Sequence, residues 1–425
     1  MTLWMGVPAV PELDFSALRS QLEADADQPS FETIRARRQR RTLRLGIAAT
    51  VAATLIVLGG GAAVLGGTRQ STPVPIGPPS VGPTASAPAS TGPGATGPNA
   101  TVEAFTASSA GSLYTITGRC GGDCGAASTT VFALLHSTDL GATWATITTL
   151  DWVSIGNGPP VLLAADDTNL WVGAGSIVGV STDGGRHWQH QDLGTAPTGQ
   201  LRGTIAGGAA WFGWQGQVLR AAAGRLPAAT AALPAGVTGV NRVTAISATR
   251  AVVQAGSGDI DTWYETTDAG AHWTKLADPC AGTRSGDGSP WTTLAAGPDG
   301  TRWVVCATAP SPQSGQPKDL LTSTDGGKTW TTRGALESSG DGVGMYPMSA
   351  TTAWRTGDQA DLYRTTDAGT TWSDVATIGP SGGGAFFAAI DANTAIYYAA
   401  GAGTLTEYVT RDGGRTWTTH PAPGG

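Results

Sequence analysis

Charge is scarce in this chain of 425 residues, of which only 13% are Asp, Glu, Lys or Arg. Lysine is confined to Lys275, Lys318 and Lys328, so arginine supplies nearly every other cation. With the abundance of alanine and glycine, that bias points to a GC-rich bacterial genome. After Arg69 the chain carries 26 acidic and 17 basic residues, a balance that argues against nucleic acid or an anionic membrane surface as the partner of this part. Cysteine is limited to Cys120, Cys124, Cys280 and Cys306, with no histidine cluster or C-x-x-C motif beside them, so a metal site is not expected. Histidine is limited to His136, His187, His190, His272 and His420. There is no H-E-x-x-H, no G-x-S-x-G and no Ser/His/Asp grouping. Gly326 to Thr329 reads GGKT but lacks the earlier glycine of a phosphate-binding loop. These absences point to no cofactor and name no reaction.

What the chain has instead is one octapeptide in six copies, Ser/Thr-x-Asp-x-Gly-x-Thr/His-Trp. Its aspartates are Asp139, Asp183, Asp268, Asp325, Asp367 and Asp412. Each copy lies between two short β-type runs and reads as a hairpin turn. The carboxylate accepts backbone N–H groups two or three residues on, and the glycine supplies a positive φ. The tryptophan opens the next strand and buries its ring against a neighbouring sheet. Six identical catalytic or Ca²⁺-binding aspartates on one chain make little chemical sense, so these residues are read as structural. The interval from Asp183 to Asp268 spans two periods and holds a degenerate copy at LRAAAGRL, with Gly224 matched to the repeat glycine. A second repeat places Tyr114, Trp171, Trp211, Val252, Trp303, Trp354 and Ile396 at strand openings upstream of each copy. Seven units of this length hold four strands each. The expectation is an all-β, seven-bladed propeller of four-stranded antiparallel blades over residues 101–425.

The octapeptide resembles the Asp-box, or BNR repeat, of sialidases, sortilin-type receptors, some glucan hydrolases and Ycf48-type photosystem assembly factors. In those families it lies on the turn between the third and fourth strands of a blade. The pairing with an upstream strand-opening aromatic looks most like the Ycf48-type arrangement. The resemblance covers about three quarters of the chain and implies a fold rather than a function. The Arg-Ile-Pro motif of sialidases is absent, and Arg186, Arg364, Arg411 and Arg415 fall in or beside the repeats.

The N-terminal quarter reads differently. Residues 45–68 are uncharged and apolar, and at ~1.5 Å per residue they reach ~36 Å, enough for a ~30 Å hydrocarbon core. Six arginines between Arg35 and Arg44 precede them and place residues 1–44 in the cytoplasm. A cleavable signal peptide would need a shorter charged region and an A-x-A site. The expectation is a single-pass anchor in the cell membrane, with residues 69–100, rich in Pro, Gly, Ser and Thr, as a linker to an extracellular propeller. Residues 1–44, with a short helix ended by Pro29, are either a solvated stub or a docking site for a cytoplasmic regulator. The oxidising compartment suits disulfides, Cys120 with Cys124 and Cys280 with Cys306, the second pair closing the insertion between blades 4 and 5.

In a propeller the links from strand 2 to strand 3 and from blade to blade share a face, and the insertions here (118–128, 151–160, 277–290, 307–319 and 334–346) fall on such links. Insertions collect on binding faces. Candidate contacts there are Trp152, Trp291 and Tyr346, which can stack on sugars or anchor a protein, together with Asp151, Asp261 and Asp341. The plainer alternative is that the tryptophans pack strand ends and the aspartates are solvated. The expected function is non-catalytic binding of an extracellular protein or glycan. The alternative is a cell-surface, exo-sialidase-like glycoside hydrolase, which needs two carboxylates facing each other across a bond. A third reading is a sensor coupling outer binding to residues 1–44.

Overall fold

The computed structural model describes residues 100–423, apart from 121–129, 155–157, 195–200, 236, 238, 258–259, 282–292, 308–317, 337–343, 358–360, 378–385 and 402–403. The expected stub, membrane segment and nearly all of the linker lie outside the described residues, as do Cys124, Trp291 and Asp341.

Seven four-stranded antiparallel sheets follow one another along the chain, each built from four consecutive strands. They span residues 100–149, 161–192, 202–229, 240–275, 293–336, 345–377 and 386–421, numbered here as blades 1 to 7. The all-β, seven-bladed expectation therefore holds. Blade 5 shows the pattern, with strands Thr293–Ala296, Arg302–Ala307, Lys318–Ser323 and Thr331–Leu336.

Burial explains the composition of each strand. The second strand is covered on both faces by neighbouring blades, so Leu170–Ala174 and Ala209–Trp214 are buried throughout and read as continuous apolar runs. The fourth strand is the outer edge. Gln189–Asp192 and Thr418–Pro421 are polar and largely exposed, while in blades 3 and 4 the edge shrinks to Ala228–Ala229 and Thr274–Lys275. Short, polar edges deny a template to another chain's strand.

The largest buried side chains are the strand-opening aromatics. Tyr114, Trp171, Trp211, Trp303 and Trp354 are at most 1% exposed, and Val252 and Ile396 occupy the same place in blades 4 and 7. Several also reach into the next blade. Trp171 Nε1 donates to the Arg225 carbonyl (2.9 Å), Trp211 Nε1 to Ser247 (3.3 Å), Trp354 Nε1 to Asp391 (3.1 Å) and Tyr114 Oη to Asp167 (3.2 Å). Each ring thus supplies apolar area and a hydrogen bond across a seam.

The doubled interval does contain a blade, but Gly224 is not in register with the repeat glycine. Strand pairing sets Trp211 opposite Arg220 as it sets Trp354 opposite Arg364, so Ala221 takes the place of the opening Ser/Thr. Gly224, with φ of 67°, therefore matches the residue before the repeat glycine, which has φ of 59° in Leu140 and 62° in Ala368. Sequence alignment favoured glycine over glycine, whereas the six octapeptides are left-handed at both positions and blade 3 keeps only the first.

Cys280 and Cys306 form a disulfide between the blade 4–5 link and the second strand of blade 5, 26 residues apart. Both are buried. The expected Cys120–Cys124 pair lies outside the described residues. Replacing both Cys280 and Cys306 by alanine is expected to cost about 3.5 kcal/mol, the chain-entropy value for a loop of that length. Urea unfolding of the double variant against the wild type measures it.

Candidate functional site

The octapeptides form the turns between third and fourth strands, on one face of the ring. In the turn of Asp139, one carboxylate oxygen accepts Ser137 Oγ (2.8 Å) and Thr143 N (2.9 Å), and the other accepts Thr143 Oγ1 (2.7 Å). Ser137 Oγ in turn accepts Gly141 N (2.8 Å). The same set recurs around Asp325, Asp367 and Asp412. In two copies histidine replaces threonine, with His187 Nδ1 2.5 Å from Asp183 and His272 Nδ1 2.6 Å from Asp268. The backbone donor recurring in every copy is thus four residues on from the aspartate, rather than two or three. Two consecutive left-handed residues widen the turn, which is why the carboxylate reaches the fourth.

These bonds consume the acceptor capacity of each aspartate and favour its charged form. Bonds from threonine or histidine side chains and backbone hold Asp139, Asp268, Asp367 and Asp412 at about 2. At Asp183 burial opposes this, but the bonds from His187 and Ser181 outweigh it, again giving about 2. The folded values lie below the ordinary carboxylate value of ~3.9, so the turns contribute stability that is complete above pH ~4 and lost as pH falls towards 2. Thermal unfolding followed by near-UV circular dichroism is expected to show the midpoint dropping below pH ~4. A midpoint constant from pH 5 to pH 2 would contradict this account of the turns.

The tryptophan that ends each octapeptide is half-buried and leans on the preceding blade. Trp273 Nε1 donates to Ala231 of blade 3 (3.1 Å), Trp417 Nε1 to Val375 of blade 6 (3.2 Å), and Trp372 meets Trp303 of blade 5 edge-on. Arginines fasten further seams. Arg220 lies over the Trp211 ring and donates to the Ala248 carbonyl of blade 4, and Arg364 does the same over Trp354 to Ala392 of blade 7. At the blade 4–5 seam Glu265 accepts from Arg250 Nη2 (2.9 Å) and from the buried Arg302. This cluster was not anticipated from sequence, since its members are separated along the chain and belong to two blades.

The opposite face carries the links between blades and between second and third strands. The two faces differ in regularity. On the octapeptide face the turns between first and second strands are residues 108–112, 165–169, 246–250, 297–301, 348–352 and 390–394, all equal in length, with only 207–208 shorter. On the other face the links run from 175–176 and 215–216 up to 308–317 and 276–292.

The four candidate binding residues that are described are dispersed on this second face. Asp151 is exposed on the blade 1–2 link. Trp152, beside it, is half-buried, stacks on His190 at 5.6 Å and contacts Trp188 at 5.9 Å, so it packs over the outer strands of blade 2. Tyr346 opens blade 6 and meets Phe387 of blade 7 edge-on at 4.7 Å, and burial raises its phenol. Asp261 pairs with Gly256 in blade 4, and its side chain lies outside the described residues. Among the described residues no cluster of His, Cys, Asp and Glu is arranged to hold a metal.

No protein-family model matches the chain, and no curated protein matches it. Solved structures similar to it are propellers. A YCF48 bound to D1 peptide is 15% identical over 75% of this chain and 93% of its own, with a TM-score of 0.46. YCF48 from Cyanidioschyzon merolae is 19% identical over 60% and 81%, with a TM-score of 0.41. The GH74 enzyme of Niastella koreensis is 17% identical over 75% and 65%, with a TM-score of 0.40. Likeness at this level does not bear on what the chain binds or whether it catalyses a reaction.

Proposed function

We propose that the chain is a membrane-anchored, extracellular propeller that holds a protein or glycan on its loop-rich face and performs no chemistry. The observation that carries this reading is the contrast between the two faces. Turns on one are uniform and internally bonded, while links on the other vary from two residues at 175–176 to the long segments 308–317 and 276–292. A scaffold needs only short turns, so length collected on one face is length available for recognition. The apolar run at residues 45–68, preceded by arginines, supports the anchor, and the hydrogen-bond set of the octapeptides supports their assignment as Asp-boxes. Asp151, Trp152, Asp261, Trp291, Asp341 and Tyr346 are the proposed contacts.

The test begins with a glycan array and surface crosslinking on the full-length chain. Residues 308–317 are then replaced by the two-residue turn Gly175–Ser176 of blade 2. Binding is expected to fall at least tenfold while the melting temperature holds. Unchanged affinity after the long links have been shortened one by one would refute the assignment of the face. Hydrolysis of sialosides or β-glucans that disappears in Asp151→Asn or Asp261→Asn would replace binding with glycoside hydrolysis.

A further inference from the structure

The last seam of the ring departs from the other six. Three residues before each octapeptide, the third strand places an apolar side chain in the seam: Leu134, Val178, Trp263, Leu320 and Leu362, all buried. In blade 7 that residue is Glu407, at 0% exposure. At three seams the octapeptide glycine of the following blade sits on this position, Gly185 on Leu134, Gly369 on Leu320 and Gly141 of blade 1 on Glu407. A carboxylate therefore stands where the repeat puts hydrocarbon.

Glu407 has a built environment. Cross-strand pairing sets Tyr398 on one side and His420 on the other. Tyr398 Oη donates to Glu407 Oε2 at 2.7 Å, and His420 Nδ1 lies 3.6 Å from Oε1. From blade 1 the facing groups are Gly141, Leu140 and Trp144, none of which titrates, and Phe105 closes on the Tyr398 ring at 5.0 Å. Glu407 Oε1, His420 Nδ1 and Trp144 Nε1 are buried polar atoms without a hydrogen-bond partner. The titratable groups are thus Glu407, Tyr398 and His420, all on blade 7. Blade 1 and blade 7 each complete their own sheet, so no strand ties the two ends of the ring together. Among the described residues no backbone hydrogen bond crosses this seam.

We propose that the seam between blade 7 and blade 1 is a proton-dependent clasp, in which a proton on Glu407 keeps the ring closed and its loss loosens it. With the proton present, Glu407 is neutral and can be buried. Without it, a carboxylate that keeps only the Tyr398 hydrogen bond faces Gly141 in a site closed to water, where a charge is costly. Burial raises Glu407, opposed by Tyr398, His420 and Trp144. Because the folded value is raised, stability from this group is complete below the ordinary carboxylate value of ~4.3 and is lost as pH rises through the folded value. The sign is opposite to that of the octapeptide aspartates.

Hydrogen–deuterium exchange on the full-length chain from pH 5 to pH 8, corrected for intrinsic rates, tests the clasp. Segments 137–144 and 404–410 report this seam, and segments 181–188 and 130–137 report the equivalent seam with Leu134 beneath Gly185. In the wild type, opening at the first pair is expected to rise relative to the second by up to about tenfold per pH unit, the limit for loss of one proton. Glu407→Gln and Glu407→Leu are expected to abolish that difference. Equal pH dependence at the two wild-type seams would overturn the proposal even if neither variant folds. So would a Glu407→Gln protein that keeps the wild-type profile.

Discussion

Replacing Trp171 by alanine is expected to lower the unfolding free energy by about 3–5 kcal/mol. The ring is fully buried and packs with Leu163, Val178, Leu201 and Phe212, so truncation leaves a cavity spanning blades 2 and 3. Its Nε1 donates to Arg225 at 2.9 Å, and that carbonyl loses its partner as well. Trp171→Phe keeps most of the apolar contact and forfeits the hydrogen bond, and is expected to cost about 1–2 kcal/mol beyond any repacking. Trp273→Ala is the control, because the Trp273 side chain is only half-buried against blade 3 and removes less area from water. Urea midpoints for the three variants should rank Trp171→Ala as the most destabilised by a clear margin. Near-equal costs for Trp171→Ala and Trp273→Ala would show that the strand-opening ring does not hold the seam.

Gly185→Ala is expected to cost about 2–5 kcal/mol, combining left-handed backbone strain with overpacking. Gly185 has φ of 91°, and a methyl group there would overlap the Leu134 side chain of blade 1. Gly111 separates the two causes. Its φ is 87°, yet a Cβ would meet nothing within 4 Å, so Gly111→Ala should show the backbone cost alone, about 1–2 kcal/mol. The excess at Gly185 measures contact between blades. Pairing Gly185→Ala with Leu134→Ala should recover part of it. Equal costs at the two glycines would mean that the octapeptide turn does not press on the preceding blade.

Both variants probe how the repeat joins blades, and much of that joint was legible in sequence. The spacing of the aspartates and the strand-opening aromatics predicted the number of blades, including blade 3, where the octapeptide is reduced to Gly224. The roles of serine, aspartate and glycine followed from turn chemistry, although the fourth residue proved to be the recurring backbone donor. The misplacement of Gly224 has the same origin, since a one-dimensional alignment matches letters while the backbone matches dihedral angles. Glu407 could have been found from sequence by aligning third strands rather than turns, because it is the only acid in a column of Leu, Val and Trp. The candidate binding residues were less legible. Trp152 and Tyr346 are aromatic residues on the predicted face, but the structure gives each an aromatic neighbour to pack against.

The sequence by itself determined a ring of seven four-stranded units and the place of the six octapeptide turns, because turn chemistry and strand periodicity act over a few residues and repeat along the chain. Only the tertiary structure decided which residues meet across the seams. Trp171 reaching Arg225, Arg302 meeting Glu265 and Glu407 lying beneath Gly141 each depend on two segments that share no local pattern. They are brought together because each blade must bury both faces, and for the first and last blades that requires the two ends of the ring to close on each other.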